Sequence, residues 1–140
     1  NFKPVQGKKA ERENAIMAGM VAGLSPDDAR NVAAYYASQT TKGGASRSKE
    51  LAYFGQKLYR AGNPATGLPA CAGCHGPSGA GVPAQYPRLA GQYAEYTAAQ
   101  LKSFNDRQRA NDTNRMMRAI ASKMTEAEMR AVSDYIAGLR

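Results

Sequence analysis

Both cysteines of the 140-residue chain and its only histidine lie together, in the motif Cys71-x-x-Cys74-His75. Three kinds of site use cysteines at this spacing. A dithiol oxidoreductase needs a strand–helix–strand setting, and this sequence has no strand pattern. A structural zinc site needs four ligands, whereas this chain offers only two thiolates and one imidazole. Attachment of a c-type haem needs two thiols for the haem vinyl groups and an adjacent histidine for the iron. The motif therefore predicts a covalently attached haem.

The remaining sequence predicts an all-α fold, which must position this motif. β-branched residues are scarce, and alanine-rich segments with a period of about 3.6 residues dominate. We predict five helices, over residues 26–38, 48–60, 92–105, 114–121 and 126–139. Ser25 and Thr125 are the expected N-caps of the first and last. A loop over residues 62–88 carries the motif. Such a long loop is rare in a compact domain unless it is functional, so we expect it to wrap the haem.

The two ends of the chain are similar at an offset of 100 residues. The identical pairs, without a gap, are Asn14/Asn114, Met17/Met117, Arg30/Arg130, Val32/Val132, Tyr35/Tyr135 and Ala37/Ala137. Two amphipathic helices can look alike by chance, but the shared cap, methionine and tyrosine in one register favour a duplication. A period near 100 residues predicts tandem domains. No Cys-x-x-Cys-His motif precedes the first copy. We therefore expect residues 1–41 to be the C-terminal remnant of a first domain plus a linker, and residues 42–140 to be a complete one-haem domain.

The sixth ligand of the haem iron cannot be a second histidine of this chain, because His75 is the only one. Methionine, another weaker donor, water or nothing remains. A His/Met pair raises the reduction potential and suits an electron carrier. Met116 and Met124 align in the repeat with isoleucine and leucine, whereas Met117 aligns with another methionine. The repeat therefore favours Met117 as the ligand.

The chain is basic, with 19 Lys+Arg against 11 Asp+Glu and a formal net charge of +8. Nucleic acid, an anionic membrane surface and an acidic protein are the partners that such a charge attracts. The basic residues are spread along the chain and no stacking platform of aromatic residues interleaves with them, which argues against nucleic acid. We expect redox protein partners with acidic docking surfaces, and membrane-surface association stays open. No apolar run approaches the ~18 residues of a membrane span.

Four stretches resemble class I cytochrome c, and most closely its tandem diheme group, the cytochromes c4. They are residues 71–76, 86–92, 111–118 and 124–139. Residues 14–39 resemble the tail of that group's first domain. The resemblance covers most of the chain. It implies the class I cytochrome c fold, with helices packed around one covalently bound haem c.

The resemblance also implies a role for each residue of the site. Cys71 and Cys74 carry the thioethers, and His75 and Met117 bind the iron. The Pro87 carbonyl accepts a hydrogen bond from the His75 ring N–H, which orients the ligand.

Further implications concern packing and location. The helices that start near residues 48 and 126 cross, with Gly55 letting Tyr135 approach closely. Met17 resembles an axial ligand whose haem lies outside this chain. Three arrangements of residues 1–40 stay open: they are disordered, they lie against the second domain, or they complete a domain by association with a first-domain fragment. Haem attachment after export, as in this family, implies the periplasm of a Gram-negative bacterium.

The expected function is a one-electron Fe(II)/Fe(III) shuttle between redox proteins, not an enzyme. One alternative is the cytochrome subunit of a larger dehydrogenase. A second is a haem enzyme or gas-binding protein with an open distal site, for which the lack of a second histidine is unfavourable.

Overall fold

The structure is a computed structural model, and it describes residues 2–5, 7–40, 44–83 and 85–140. The described part is helical, with isolated bridges but no strands. The helices are α1 (Ala15–Val21), α2 (Pro26–Ser38), α3 (Lys49–Ala61), α4 (Ala72–His75), α5 (Ala94–Asn105), α6 (Met116–Ala121) and α7 (Glu126–Gly138), and a 3-10 turn over Thr113–Arg115 leads into α6. The all-α class predicted from the sequence is confirmed.

The sequence missed two helices, α1 and α4. The seven residues of α1 include a glycine, and the four residues of α4 make only one turn, so neither is long enough for a clear helical period. The loop expected over residues 62–88 is therefore interrupted by α4, which consists of Ala72–His75. The other five helices lie where predicted, within two residues at each end. Ser25 and Thr125 both form the full capping box, with Asp28 and Glu128 respectively.

Helix α7 is the centre of the core, and α3 and α5 both pack against it. Its buried side chains include Met129, Val132 and Ile136, which join Leu58 and Tyr59 of α3 in one apolar cluster. Two short helices extend this core: α6 packs on α5, and α4 packs on α3. The core thus holds α4, with the Cys-His motif, and α6, with Met117, on a common framework.

The crossing of α3 and α7 is closest at Gly55. A Cβ atom placed there would lie 2.1 Å from the Ala131 carbonyl oxygen and 2.9 Å from Tyr135 Cβ. The expected close approach is confirmed, but the backbone of Ala131 is nearer than the Tyr135 side chain. Only glycine allows two helix backbones to approach so closely at this point.

Asp134 of α7 anchors the chain that enters α3. It accepts hydrogen bonds from Ser46 Oγ and from the backbone N–H of Arg47, the latter over 2.9 Å. Burial alone would raise the pKa of Asp134, but these hydrogen bonds outweigh it, so the pKa lies below its usual range. The buried carboxylate is therefore charged and keeps the start of α3 against α7.

Helices α1 and α2 contrast with the rest, because neither contains a buried residue. Their large apolar side chains are exposed, among them Ile16, Met20, Tyr35 and Tyr36. The boundary expected between residues 41 and 42 lies outside the described residues. None of the described helices has the length and hydropathy to cross a membrane.

Candidate haem site

The Cys-His motif forms the single turn α4, and tertiary contacts determine its position. The backbone N–H of His75 donates to the Cys71 carbonyl over 2.9 Å, which closes the turn. The Tyr59 hydroxyl of α3 donates to the Gly76 carbonyl over 2.6 Å, just after it. Burial raises the pKa of Tyr59 to about 12, so this hydroxyl keeps its proton at neutral pH. The core therefore ties the end of the motif to α3.

The His75 ring is buried and oriented by the loop that follows α4. Its Nδ1–H donates to the Pro87 carbonyl over 2.9 Å, across 12 residues of sequence. The backbone carbonyl of His75 accepts from the Gly81 N–H over 2.9 Å, which holds the returning loop in place. With Nδ1 occupied as a donor, Nε2 is the ring nitrogen left with a lone pair for a metal.

Cys71 and Cys74 are both half-buried, and no disulfide joins them. Burial raises the pKa of the Cys71 thiol to about 11. A thiol of that pKa is a poor nucleophile at neutral pH, unlike the activated cysteine of a dithiol oxidoreductase. The environment of Cys71 thus disfavours redox exchange of thiols.

A haem fits the residues around this motif. Leu89, Met117 and Ile120 are apolar but only half-buried, and like Cys71 they pack at the edge of the core cluster. An apolar macrocycle on this edge would cover surface that the protein by itself leaves open. Cys71 and Cys74 would carry the thioethers, and His75 Nε2 would face the iron.

The six methionines separate into three pairs by burial. Met124 and Met129 belong to the core cluster, so both are occupied in packing. Met17 and Met20 are exposed on α1. Met116 and Met117, at the start of α6, are both half-buried, and Met117 packs against the same core cluster as Cys71 of the motif. Met124 thus has the core role expected of it, and Met116 and Met117 remain the candidate ligands among these residues.

The chain before α6 is held by the ion pair of Asp112 and Arg118. Arg118 Nε lies 2.7 Å from Asp112 Oδ1, and the Arg118 backbone N–H donates to Oδ2 over 3.0 Å. Burial alone would raise the pKa of Asp112, but the hydrogen bonds from Arg118 outweigh it and lower the pKa. Between these residues, Asn114 and Arg115 have φ of +53° and +57°, which is unusual without glycine. The ion pair stabilises this tight turn and thereby places Met116 and Met117.

Sequence reasoning did not identify Tyr59, Asp112 or Arg118 as parts of the site. In the sequence, residues 111–118 are identified only by their resemblance to class I cytochrome c. A spacing of six residues between an acid and a base matches no helical pairing rule, since such pairs are three or four apart. In the sequence, Tyr59 is only one of several apolar residues in the helix predicted over residues 48–60. The Tyr59–Gly76 hydrogen bond and the Asp112–Arg118 ion pair both depend on the path by which the loops return to the core.

Comparison with known proteins supports the assignment of the site to a haem. Residues 54–140 match the family model described as cytochrome c. Cytochrome c4 of Thiocapsa roseopersicina is 46% identical over 98% of this chain and 72% of its own length. The crystal structure of reduced cytochrome c4 from Pseudomonas stutzeri has a TM-score of 0.86 and 40% identity, over 97% of this chain and 71% of that one. Thiosulfate dehydrogenase from Marichromatium purpuratum has a TM-score of 0.81 and 34% identity, over 91% of this chain and 28% of that one.

These matches confirm three expectations from the sequence, namely the class I cytochrome c fold, the covalently bound haem c and a role in electron transfer rather than catalysis. The chain spans about seven tenths of the two cytochromes c4 named. The chain belongs to the cytochrome c family, within which it groups with the cytochromes c4, as an electron-transfer protein that carries haem c.

Proposed function

We propose that this protein is a periplasmic one-electron carrier whose haem iron is bound by His75 and Met117. The observation that carries the proposal is the buried His75 ring, which Pro87 holds through Nδ1 while Nε2 stays available. The position of Met117 at the edge of the same core supports a closed six-coordinate site. Cys71 and Cys74 are assigned the two thioether bonds.

The bound haem supplies an iron that is stable as both Fe(II) and Fe(III). His75 and Met117 would hold the iron as fixed ligands, so that little rearrangement would accompany the gain or loss of an electron. The Pro87 carbonyl prevents rotation of the His75 ring and increases its basicity. The Asp112–Arg118 pair keeps the Met117 segment in place. Tyr59 ties the end of α4 to α3, so the histidine side of the site is anchored independently of the methionine side.

A visible absorption spectrum of the holoprotein tests this coordination. We expect one haem per chain, low-spin in both oxidation states, and no change of the ferrous spectrum under carbon monoxide. A His/Met site leaves no open position for the gas. Ready binding of carbon monoxide would contradict the proposal and would favour a gas-binding protein or a haem enzyme instead.

The dehydrogenase-subunit alternative has one specific observation in its favour. This chain is similar in structure to 28% of the thiosulfate dehydrogenase chain of M. purpuratum. A cytochrome module of this kind is therefore compatible with a larger enzyme. Co-purification of this protein from its source with a second redox subunit, in constant ratio, would favour the alternative over a free carrier.

We propose that the redox partner of this protein docks through an acidic surface. Among the described residues, only Arg30, Arg47, Lys102, Arg118 and Arg130 form ion pairs with carboxylates. Arg88 and Arg115 are exposed next to Pro87 and Met116, and neither has such a pair. We expect electron exchange with an acidic redox partner to slow as ionic strength rises, because salt screens exposed charges. A rate of electron exchange that does not depend on salt would contradict an acidic partner surface.

Periplasmic location predicts release of the protein by osmotic shock.

We also propose that residues 1–41 derive from a first cytochrome c domain and that residues 42–140 are the haem domain of this chain. The repeat at 100 residues and the exposed apolar side chains of α1 and α2 support the division. A first-domain fragment would cover those side chains. Limited digestion with trypsin should then release a stable haem-bearing fragment that begins after Lys42 or Arg47. Cleavage inside α3 or α5 as fast as cleavage after Lys42 or Arg47 would contradict this division of the chain.

A further inference from the structure

The turn over residues 63–68 leads from α3 into the Cys-His motif. Asn63 and Leu68 exchange both backbone hydrogen bonds, over 2.9 and 3.0 Å, which closes the turn. The side chain of Asn63 is fixed as well, because its Oδ1 accepts from the Ala65 N–H over 3.1 Å. Leu68 belongs to the buried core cluster and lies three residues before Cys71. The turn is therefore a well-defined connection between α3 and the motif.

The junction of α6 and α7, residues 122–128, contacts this turn at two points. Asn63 Nδ2 donates to Glu128 Oε1 over 2.8 Å, across 65 residues of sequence. The Lys123 ammonium group donates to the Gly67 carbonyl over 2.8 Å. The second contact is exposed to solvent, whereas Glu128 of the first is buried. The contact between Asn63 and Glu128 should therefore contribute more to holding the two segments together.

The Glu128 carboxylate depends on its hydrogen-bond donors. Its Oε2 accepts from the Thr125 N–H over 2.8 Å and from the Thr125 hydroxyl over 3.0 Å, and Asn63 is the donor to Oε1. Burial alone would raise the pKa of Glu128, but these hydrogen bonds outweigh it and lower the pKa. The buried carboxylate is charged, so loss of the donor from Asn63 would leave one of its oxygens without a partner.

Helix α6 needs contacts at both of its ends. It has only six residues, too few for a helix that is stable by itself. The Asp112–Arg118 ion pair holds the first end. The last end runs into the junction, since α6 stops two residues before Lys123. The contacts of the junction with the turn therefore determine how firmly the whole helix is held.

We propose that Asn63 and Glu128 are positioning residues, which hold Met117 in place by attaching the end of α6 to the turn before Cys71. The inference rests on the proposed binding of the iron by Met117. An added ligand such as imidazole reaches the ferric iron only while Met117 is away from it. Its apparent affinity is proportional to the fraction of molecules in which the site is open. A looser α6 raises that fraction through local opening, without unfolding of the core.

Titration of the ferric holoprotein with imidazole, followed by its visible spectrum, tests this inference. Asn63→Asp keeps the acceptor for the Ala65 N–H but places a second carboxylate against Glu128. We expect imidazole to bind this variant about tenfold more tightly than the wild type, since a buried hydrogen bond is replaced by repulsion. Asn63→Asp combined with Glu128→Gln reverses the hydrogen bond, because the new amide donates to the new carboxylate. The affinity of the double variant should return to within about twofold of the wild type.

Ser46→Ala is the matched control for a general loss of stability. It removes a donor from Asp134, a buried carboxylate in the second half of α7, far along the chain from α6. It should lower the urea midpoint, as Asn63→Asp does, and leave the affinity for imidazole unchanged. Equal gains of affinity in Ser46→Ala and Asn63→Asp would overturn the inference. Wild-type affinity in Asn63→Asp, or no recovery in the double variant, would overturn it too.

Met117→Leu separates failure of this inference from failure of the proposed function. With no methionine to displace, it should bind imidazole more tightly than Asn63→Asp does. If Met117→Leu binds imidazole no more tightly than the wild type, the proposed ligand is wrong and the role of Asn63 falls with it. If Met117→Leu binds more tightly and Asn63→Asp does not, Met117 remains the ligand and only the positioning role is refuted.

Discussion

Met117→Leu is expected to convert the low-spin haem into one with an open sixth position. Leucine has a similar volume and no sulfur, so the core edge should stay filled and the cost in stability should remain below about 1.5 kcal/mol. Loss of the thioether ligand should lower the reduction potential by on the order of 100 mV, within the wide range that axial ligands set. The ferrous variant should bind carbon monoxide. Optical spectra and a redox titration of the holoprotein measure all three effects.

Met116→Leu is the matched control, because Met116 is the adjacent residue and is also half-buried. It should keep the low-spin spectrum and the potential of the wild type. If Met116→Leu opens the site and Met117→Leu does not, the ligand is Met116 and the register of the 100-residue repeat is off by one. Unchanged spectra in both variants would mean that neither methionine binds the iron.

Gly55→Ala is expected to cause a large loss of stability, because the added methyl group meets the backbone of a neighbouring helix. The added Cβ would lie 2.1 Å from the Ala131 carbonyl oxygen and 2.6 Å from its carbon, far inside contact distance. Neither atom belongs to a flexible side chain, so α3 and α7 must separate. We expect a cost of about 3 kcal/mol, the upper end for overpacking. Urea unfolding of the holoprotein, followed by helical circular dichroism, measures it.

Gly19→Ala is the control for helix propensity. Gly19 lies within α1, and a Cβ there would meet nothing within 4 Å. That substitution should be neutral or stabilise by up to about 1 kcal/mol, because alanine favours the helix. An equal urea midpoint for Gly55→Ala and the wild type would contradict the close crossing at Gly55. Separation of α3 from α7 should also break the hydrogen bond from the Tyr59 hydroxyl to the Gly76 carbonyl, and thereby disturb the haem site.

The local features of this protein were readable from the sequence because their physical causes act over a few residues. Capping boxes at Ser25 and Thr125 join positions three apart, and amphipathic periods extend over one helix. The haem motif is likewise confined to five consecutive positions, so Cys71, Cys74 and His75 could be identified without any fold. Short segments escaped this reasoning. A single turn such as α4 has no period of its own and forms because the surrounding core and loops support it.

Both the sequence and the tertiary structure bear on the choice of Met117 as the candidate ligand. An offset of 100 residues aligned it with Met17, which is a property of the sequence alone. The structure narrows the same choice for a different reason, since it places Met124 and Met129 in the core and leaves Met116 and Met117 at its edge.

The sequence by itself determined the helical class, the haem motif and the basic charge, because each follows from composition or from neighbours along the chain. Only the tertiary structure decided which distant groups meet. It placed the Tyr59 hydroxyl on the Gly76 carbonyl, the Ala131 backbone against Gly55, and Arg118 on Asp112. Such contacts depend on the path of loops and on the crossing of helices, which the packing of the whole core determines and no short stretch of sequence encodes.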